Sequence, residues 1–424
     1  MCKRIKLPYD RLIVCKSMDA TFDQTTFDNG LTVVSEATPE AHTGAIGFFV
    51  RAGTRDEDKA MMGVSHFLEH MMFKGTGRRS ADDVNREFDE IGANYNAFTS
   101  QEMTVYWAHV LPEFMPRAVD LLGDMMRPAL REDDFAMEKK VILEEIGMYE
   151  DRPHWRLYDA LLELHFQGHP LSYRILGTNE SIGALPAQDM KQYFDQRYGP
   201  DNMTVALAGR FDLDNVLADV DRLTAGWEST GATRSYEMPE LADRSRSESD
   251  VNLNRHYVAM ICPGPSAQDE SRYAAAILSD VLGDADGSRL YWALIDPGLA
   301  DEADFSAWPL DRMGAFYAFA SCDPDRAEQV EGILLGTIDR FADSIDTEEI
   351  ERSKNKLATS ATVSGEAPSG RMRSLGGQWT YLNQYVPLNE EIERLMAVTV
   401  QDVRDLLGDA PFQPRTTMRL GPGV

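Results

Sequence analysis

The segment His66-Phe67-Leu68-Glu69-His70 sets two imidazoles four residues apart, with a carboxylate three residues after the first. On a helix, at about 100° per residue, all three fall on one face, one turn apart. Two neutral imidazoles at that spacing suit one zinc ion. Zinc binds nitrogen and carboxylate ligands, and in catalytic sites it keeps one position for water. Glu69 then stands where it can take a proton from that water and hand it to a leaving amine, the work of a general base. The order His, Glu, His is also the inverted zincin signature.

Such an ion needs a third protein ligand. The remaining histidines, His42, His109, His154, His165, His169 and His256, form no comparable cluster. The acidic stretch 132–150 predicts a helix and offers Glu138, Glu144 and Glu145. Glu138 and Glu145 are seven apart and share one face, whereas Glu144 is turned about 100° away. The residue types alone narrow the ligand to this helix and leave the three open.

These residues must be held by the elements around them. Strands are predicted at 32–35 and 45–50, then a charged loop at 53–59 and the motif helix over 63–73. Ser80, with Asp83 three residues on, predicts a capped helix whose stripe is Val84, Phe88 and Ile91, closed by Gly92. A strand region follows over 94–109, then helices over 112–126 and 132–150, broken by Arg152-Pro153. Helices at 155–166 and 186–197 and a buried strand at 203–209 complete this half. Residues 226–250 are rich in Ser, Thr, Glu and Arg and read as a linker. The pattern then restarts, with strand 256–261, helix 270–282 and strand 316–321. The second helix carries Ser279-Asp280-Val281-Leu282 and no histidine, so a duplication would leave the chemistry with the first half. Strands alternating with helices, twice over, predict an α+β chain of two α/β sandwich domains. The expected division is a lead-in over 1–20, a zinc-binding domain over 21–225, the linker over 226–250 and a second domain over 251–424.

Composition bounds the function. At 424 residues the chain has room for two or three domains of roughly 100–200 residues. A net charge of −28, from 70 acidic and 42 basic residues, argues against a nucleic-acid partner, which requires a basic footprint. It fits solubility or life at high salt, and also attraction of basic peptides. No run of about 18 apolar residues predicts a membrane span, and no apolar h-region follows the basic start. The four cysteines, Cys2, Cys15, Cys262 and Cys322, are widely spread and form no CxxC pair. Reduced thiols of this kind are expected of a cytoplasmic protein.

The stretch 66–76, His-Phe-Leu-Glu-His-Met-Met-Phe-Lys-Gly-Thr, strongly resembles the pitrilysin/insulinase family of zinc metallopeptidases. The processing-peptidase β-subunit branch with its bacterial relatives is the nearest likeness. The resemblance continues in 92–100, in 102–106, in Val141-Ile142-Leu143-Glu144-Glu145-Ile146, in 176–178, in 202–204 and in Gly287-Ser288-Arg289-Leu290. It implies that His66, His70 and Glu145, the last 75 residues downstream of His70, hold one Zn2+ per chain, with Glu69 as catalytic base. It gives Glu138 an assisting role and leaves Glu144 either in solvent or behind the ligands. It makes Asn96 and Ala97, followed by Phe98, an edge strand that pairs with extended substrate backbone, a β-augmentation. The aromatics Phe67, Phe73 and Phe98 are core or pocket wall.

The same resemblance implies two homologous domains, each a mixed, mainly antiparallel sheet with helices packed on it, together forming one half of a clamshell. The other half would be an identical copy or a catalytically inactive relative. An Arg–Tyr pair that contacts substrate in some family members has no clear match here. Phe316 and Tyr317 lie in the corresponding region, and Arg371, Arg373 and Tyr381 are nearby candidates. The expected activity is endoproteolysis of unfolded or extended peptides. The rival is a non-catalytic regulatory or assembly subunit, which usually carries a degraded motif. Zinc chemistry by itself also admits hydrolysis of some other amide.

Overall fold

The computed structural model describes residues 20–408 and 411–423, so the expected lead-in lies outside the described residues except for its last position. Six strands form the first sheet: β1 (Thr21–Thr26), β2 (Thr32–Ala37), β3 (Gly44–Val50), β4 (Asn94–Thr99), β5 (Thr104–Val110) and β6 (Met203–Gly209). Their spatial order is β1-β2-β6-β3-β5-β4. Five form the second sheet: β7 (Arg244–Ser249), β8 (His256–Gly264), β9 (Glu302–Leu310), β10 (Met313–Cys322) and β11 (Thr416–Gly421), in the order β7-β11-β8-β10-β9.

With β1 set aside, β2 to β6 and β7 to β11 trace the same path. The first and last strands of each set run parallel, and every other neighbouring pair is antiparallel. The duplication expected from the sequence is therefore written in the strand order. The helices follow suit. Between β3 and β4 lie α1 (Val64–Met72) and α2 (Ala81–Glu90), and between β5 and β6 lie α3 (Met115–Met125), α4 (Glu132–Glu150), α5 (Pro153–His165), α6 (Asn179–Ala184) and α7 (Ala187–Arg197). After β6 comes α8 (Leu213–Thr224). The second set has α9 (Arg272–Gly283) after β8, and α10 (Ala327–Asp339), α11 (Thr347–Glu366), α12 (Pro368–Leu382), α13 (Leu388–Ala397) and α14 (Val400–Leu407) before β11.

Central strands are apolar on both faces because both faces are covered. In β3, Ile46, Phe48 and Val50 point to the core built with α1, α3 and α4. Ala45 and Phe49, of opposite parity, meet Met372, Leu375 and Trp379 of α12. A β-carbon on Gly376 would stand 2.2 Å from the Phe49 ring, so glycine is what lets α12 come so close. The mirror arrangement holds in the second sheet: Ala259 and Ile261 of β8 pack on Leu157 and Leu161 of α5. Each half thus lends the third helix after its hairpin, α5 after β5 and α12 after β10, to the other half's sheet. Each fully buried leucine contributes roughly 1.5–3 kcal/mol, and the exchange therefore joins the halves firmly.

The secondary structure departs from the sequence reading in a few places. The strand region 94–109 is a hairpin, turning at 100–103. Of the stretch read as a linker, 244–249 is a strand, β7, paired to β11. Its sequence, Arg-Ser-Arg-Ser-Glu-Ser, has no apolar residue because it is an edge strand with alternate residues exposed. Among the described residues, no helix is long and apolar enough to cross a membrane.

Candidate metal centre

Helix α1 begins at Gly63, whose φ of 92° only glycine adopts at ease. Its first amides are satisfied from outside the helix: Glu57 accepts from Gly63 N–H and from Ser65 N–H, each at 2.8 Å. Burial pushes the Glu57 carboxyl up to about 7, against the pull of those two amides. Val64, Phe67, Leu68 and Met71 enter the core, and their spacing leaves His66, Glu69 and His70 together on the other flank. Phe67 stacks on Phe135 of α4, with ring centroids 4.7 Å apart. That contact, with Ile142 and Ile146 in the same core, lays α4 alongside α1.

The result is a tight group. One ligand atom each from His66, His70 and Glu145 lies within 4.8 Å of the others, and no other such group occurs among the described residues. Glu145 Oε2 is 3.7 Å from His70 Nε2. The other ring nitrogen, Nδ1, is 2.8 Å from Glu138 Oε1. A carboxylate there holds the proton on Nδ1 and leaves the Nε2 lone pair free on the Glu145 side. Glu138 is itself buried and ion-paired to Lys74 at 2.5 Å. Burial opposes its ionisation, but Lys74 and His70 outweigh that and hold its carboxyl below the usual range. Burial, reinforced by His70, pushes the His66 imidazolium down to about 3, so His66 is neutral as a metal ligand must be. His66 Nδ1 is buried with no hydrogen-bond partner. Two neutral nitrogens and one carboxylate oxygen fit zinc in the three-ligand arrangement that keeps a position open.

Glu138 therefore holds the His70 ring from behind. Glu138→Gln removes the charge that fixes the His70 ring, and if these residues hold zinc its affinity is expected to fall about 10–100-fold. Competition with a fluorescent chelator measures this; unchanged affinity would show that Glu138 is a bystander.

Glu69 lies outside the ligand group and faces a cavity of about 320 Å³. Thr99 Oγ1 donates to Glu69 Oε2 at 2.5 Å. Burial raises the Glu69 carboxyl above its ordinary range, with Thr99 opposing. The cavity is walled by His66, by Ala97, Phe98 and Thr99 of β4, by Tyr149 and Trp155 at the α4–α5 junction, and by the loop 173–177. That loop is seated on the start of α1. A β-carbon on Gly63 would meet Leu176 O at 2.6 Å, and one on Gly177 would meet Met62 O at 2.4 Å.

Of the residues singled out in the sequence, His66, His70 and Glu145 come together with Glu69 and Glu138 beside them. Glu144 is exposed. β4 is the edge of its sheet. Ala97 and Phe98 line the cavity, while Asn96 does not; its Oδ1 accepts the Ala97 N–H at 2.8 Å. Phe67 is core, and Phe73 packs near Tyr95. None of the candidates for the Arg–Tyr pair lines the cavity. Arg371 is buried in an ion pair with Glu36, Phe316 is core, and Arg373 sits over Trp107. Sequence reasoning missed Thr99 and Glu57. Strand alternation held a signal for Thr99, which shares the face of Ala97 and is half-buried like it.

His66, His70 and Glu145 thus form a donor set that could hold a metal ion, on a duplicated sheet-and-helix scaffold. The pattern of the insulinase family (peptidase family M16) matches residues 32–179, and that of the peptidase M16 inactive domain matches residues 184–357. An uncharacterized zinc protease of Streptomyces coelicolor is 31% identical over 408 residues, covering 92% of this chain and 88% of that protein. The uncharacterized zinc protease YmxG of Bacillus subtilis is 32% identical over 386 residues, covering 90% and 93%. The chain belongs to peptidase family M16. Its fold is that of a protease from Helicobacter pylori (TM-score 0.88, 21% identity, 95% of this chain and 100% of the other). A peptidase M16 inactive domain from Pseudomonas fluorescens is similar too (TM-score 0.87, 17% identity, 95% and 98%).

Proposed function

We propose that this chain is a zinc endopeptidase that cleaves unfolded or extended peptides, of the processing-peptidase-like bacterial branch of its family. The observation that carries this is the group of His66, His70 and Glu145, with Glu69 at hand but uncommitted on the cavity wall. Bound zinc supplies Lewis acidity, which lowers the pKa of water and polarises a carbonyl. The chain does the rest. His66, His70 and Glu145 would hold one ion per chain, and Glu138 keeps His70 in the right tautomer. Glu69 takes the proton of the attacking water on its carboxylate and gives it to the departing amine. The free edge of β4 accepts substrate backbone as an added strand, so any sequence in extended form can bind.

The likeness to zinc proteases across about nine-tenths of the chain supports peptides over other amides. The full set of ligands and base speaks against a purely regulatory or assembly subunit. We further infer that the cleft is closed by a second half-shell, an identical copy or an inactive relative, completing a clamshell. Cys262 and Cys322 are buried and free, which accords with a cytoplasmic setting.

Metal analysis of the purified chain, alongside cleavage of a generic quenched peptide, tests the proposal. The expected result is one zinc per chain and a peptidase activity that a chelator abolishes and added zinc restores. Hydrolysis that survives complete zinc removal would overturn it. A mass measurement on the active species decides between a homodimer and a need for another subunit.

A further inference from the structure

The two halves meet at equivalent places. The β4–β5 hairpin of the first sheet and the β9–β10 hairpin of the second occupy the same position in the repeated strand order, and their tips touch. The tip of the second is a two-residue turn, Asp311-Arg312, with Arg312 at a φ of 64°. Asp311 N–H donates to Glu102 Oε2 at 3.0 Å, on the tip of the first. Arg55 bridges them, donating to Glu102 Oε1 at 2.5 Å and to Asp311 O at 2.8 Å. The Asp311 carboxylate accepts in turn from Tyr236 OH at 2.9 Å and from Gln268 Nε2 at 2.9 Å. Arg234, from the segment between the halves, donates to Glu102 O at 2.5 Å. Arg55, Glu102 and Asp311 are buried, at 4%, 1% and 2% exposure, so these bonds are shielded from competing water.

The tip of the first hairpin is one step from the chemistry. The β4–β5 turn begins directly after Thr99, which holds Glu69. The same turn is bonded to the segment that leads to Glu57, the cap of α1: Arg55 N–H donates to Gln101 O at 2.8 Å, and Thr54 N–H to Ser100 O at 3.3 Å. The half without the metal centre therefore meets the end of the cavity-lining edge strand through the main chain of Asp311, whose carboxylate is tied in turn to Arg51 at 2.6 Å, Tyr236 and Gln268.

We propose that Asp311 is a positioning residue: its carboxylate, held by Arg51, Tyr236 and Gln268, fixes the hairpin tip whose main-chain N–H and C=O meet Glu102 and Arg55, and so fixes the β4 edge and Thr99, so that the metal-free half sets the register in which a peptide lies against Glu69. This rests on the reading of β4 as the peptide-binding strand. Side-chain contact between Asp311 and the peptide is no part of it. A misplacement of about 1 Å at such a strand is worth up to about 100-fold in a reaction, so loss of the grip has a measurable cost.

The test uses the full chain carrying Glu69→Gln, which holds peptide without cutting it. Affinity for a fluorescein-labelled unstructured peptide is measured together with zinc content and Tm. Adding Asp311→Ala is expected to weaken peptide binding about tenfold while zinc stays stoichiometric. Gln268→Ala removes only one bond to Asp311 and weakens binding less; it decides the question if Asp311→Ala fails to fold. A lowered Tm with unchanged peptide affinity in the folded variants would overturn the proposal, because a purely structural contact behaves that way. If the chain with Glu69→Gln alone binds no peptide, the peptide-binding reading of β4 falls and takes this inference with it. If that chain binds and the variants bind equally well, only the role of Asp311 falls.

Discussion

Glu69→Gln is expected to cut peptide hydrolysis by about 100- to 10,000-fold, the usual contribution of a general base, while zinc remains bound. The amide is nearly the same size as the carboxylate and keeps an acceptor for Thr99 Oγ1, which lies 2.5 Å from Glu69 Oε2. It cannot take up a proton at working pH. The ligand atoms of His66, His70 and Glu145 are untouched, so metal content should match that of the parent chain. Turnover of a quenched peptide and metal analysis on the same preparation check both halves of the claim. Undiminished turnover would remove Glu69 from the mechanism. Lost zinc would make it a ligand instead.

Glu145→Gln has the opposite signature, since here the metal itself goes. A neutral amide is a poor zinc ligand, and two imidazoles remain. The loss in affinity should exceed the roughly 10–100-fold expected when an outer-shell group such as Glu138 is changed. The polypeptide should survive, because the Glu145 side chain is 20% exposed and on the rim of the core. Thermal unfolding gives a clean reading. Zinc at 100 times its Kd stabilises a chain that binds only when folded by about 2.7 kcal/mol. The parent should show that zinc-dependent rise in Tm, and the variant should show none at the same concentration. A variant that keeps stoichiometric zinc would mean that the third ligand is another residue, with Glu138 and Glu144 the remaining carboxylates of α4.

Much of this site was legible in the sequence because its parts are local. The 3.6-residue period puts His66, Glu69 and His70 on one flank, and Val64, Phe67, Leu68 and Met71 on the other. The same reasoning kept Glu138 and Glu145 on one face of α4 but could not choose between them, because the choice depends on where α1 crosses. The packing of Phe67 on Phe135 fixes that crossing; Glu145 then falls beside His70 Nε2, and Glu138 behind Nδ1. One residue type on one helix face joins the His66–His70 group in one position and bonds the far side of the His70 ring in the other.

Sequence periodicity by itself determined the motif helix and the restart of strand and helix after residue 250, and the residue types gave the expectation that the chemistry lies in the first half. Each of these is set by spacing along a single stretch of chain. Tertiary structure alone decided the rest. It placed Thr99 against Glu69 and Glu57 under the start of α1, across gaps of 30 and 8 residues that no local period spans. It also crossed α5 and α12 between the sheets, because the outer apolar face of each sheet needs a cover that its own half does not supply. And it brought the Asp311 N–H onto the Glu102 carboxylate, 209 residues away, because a main-chain donor and a carboxylate buried at the tips of equivalent hairpins each need a partner.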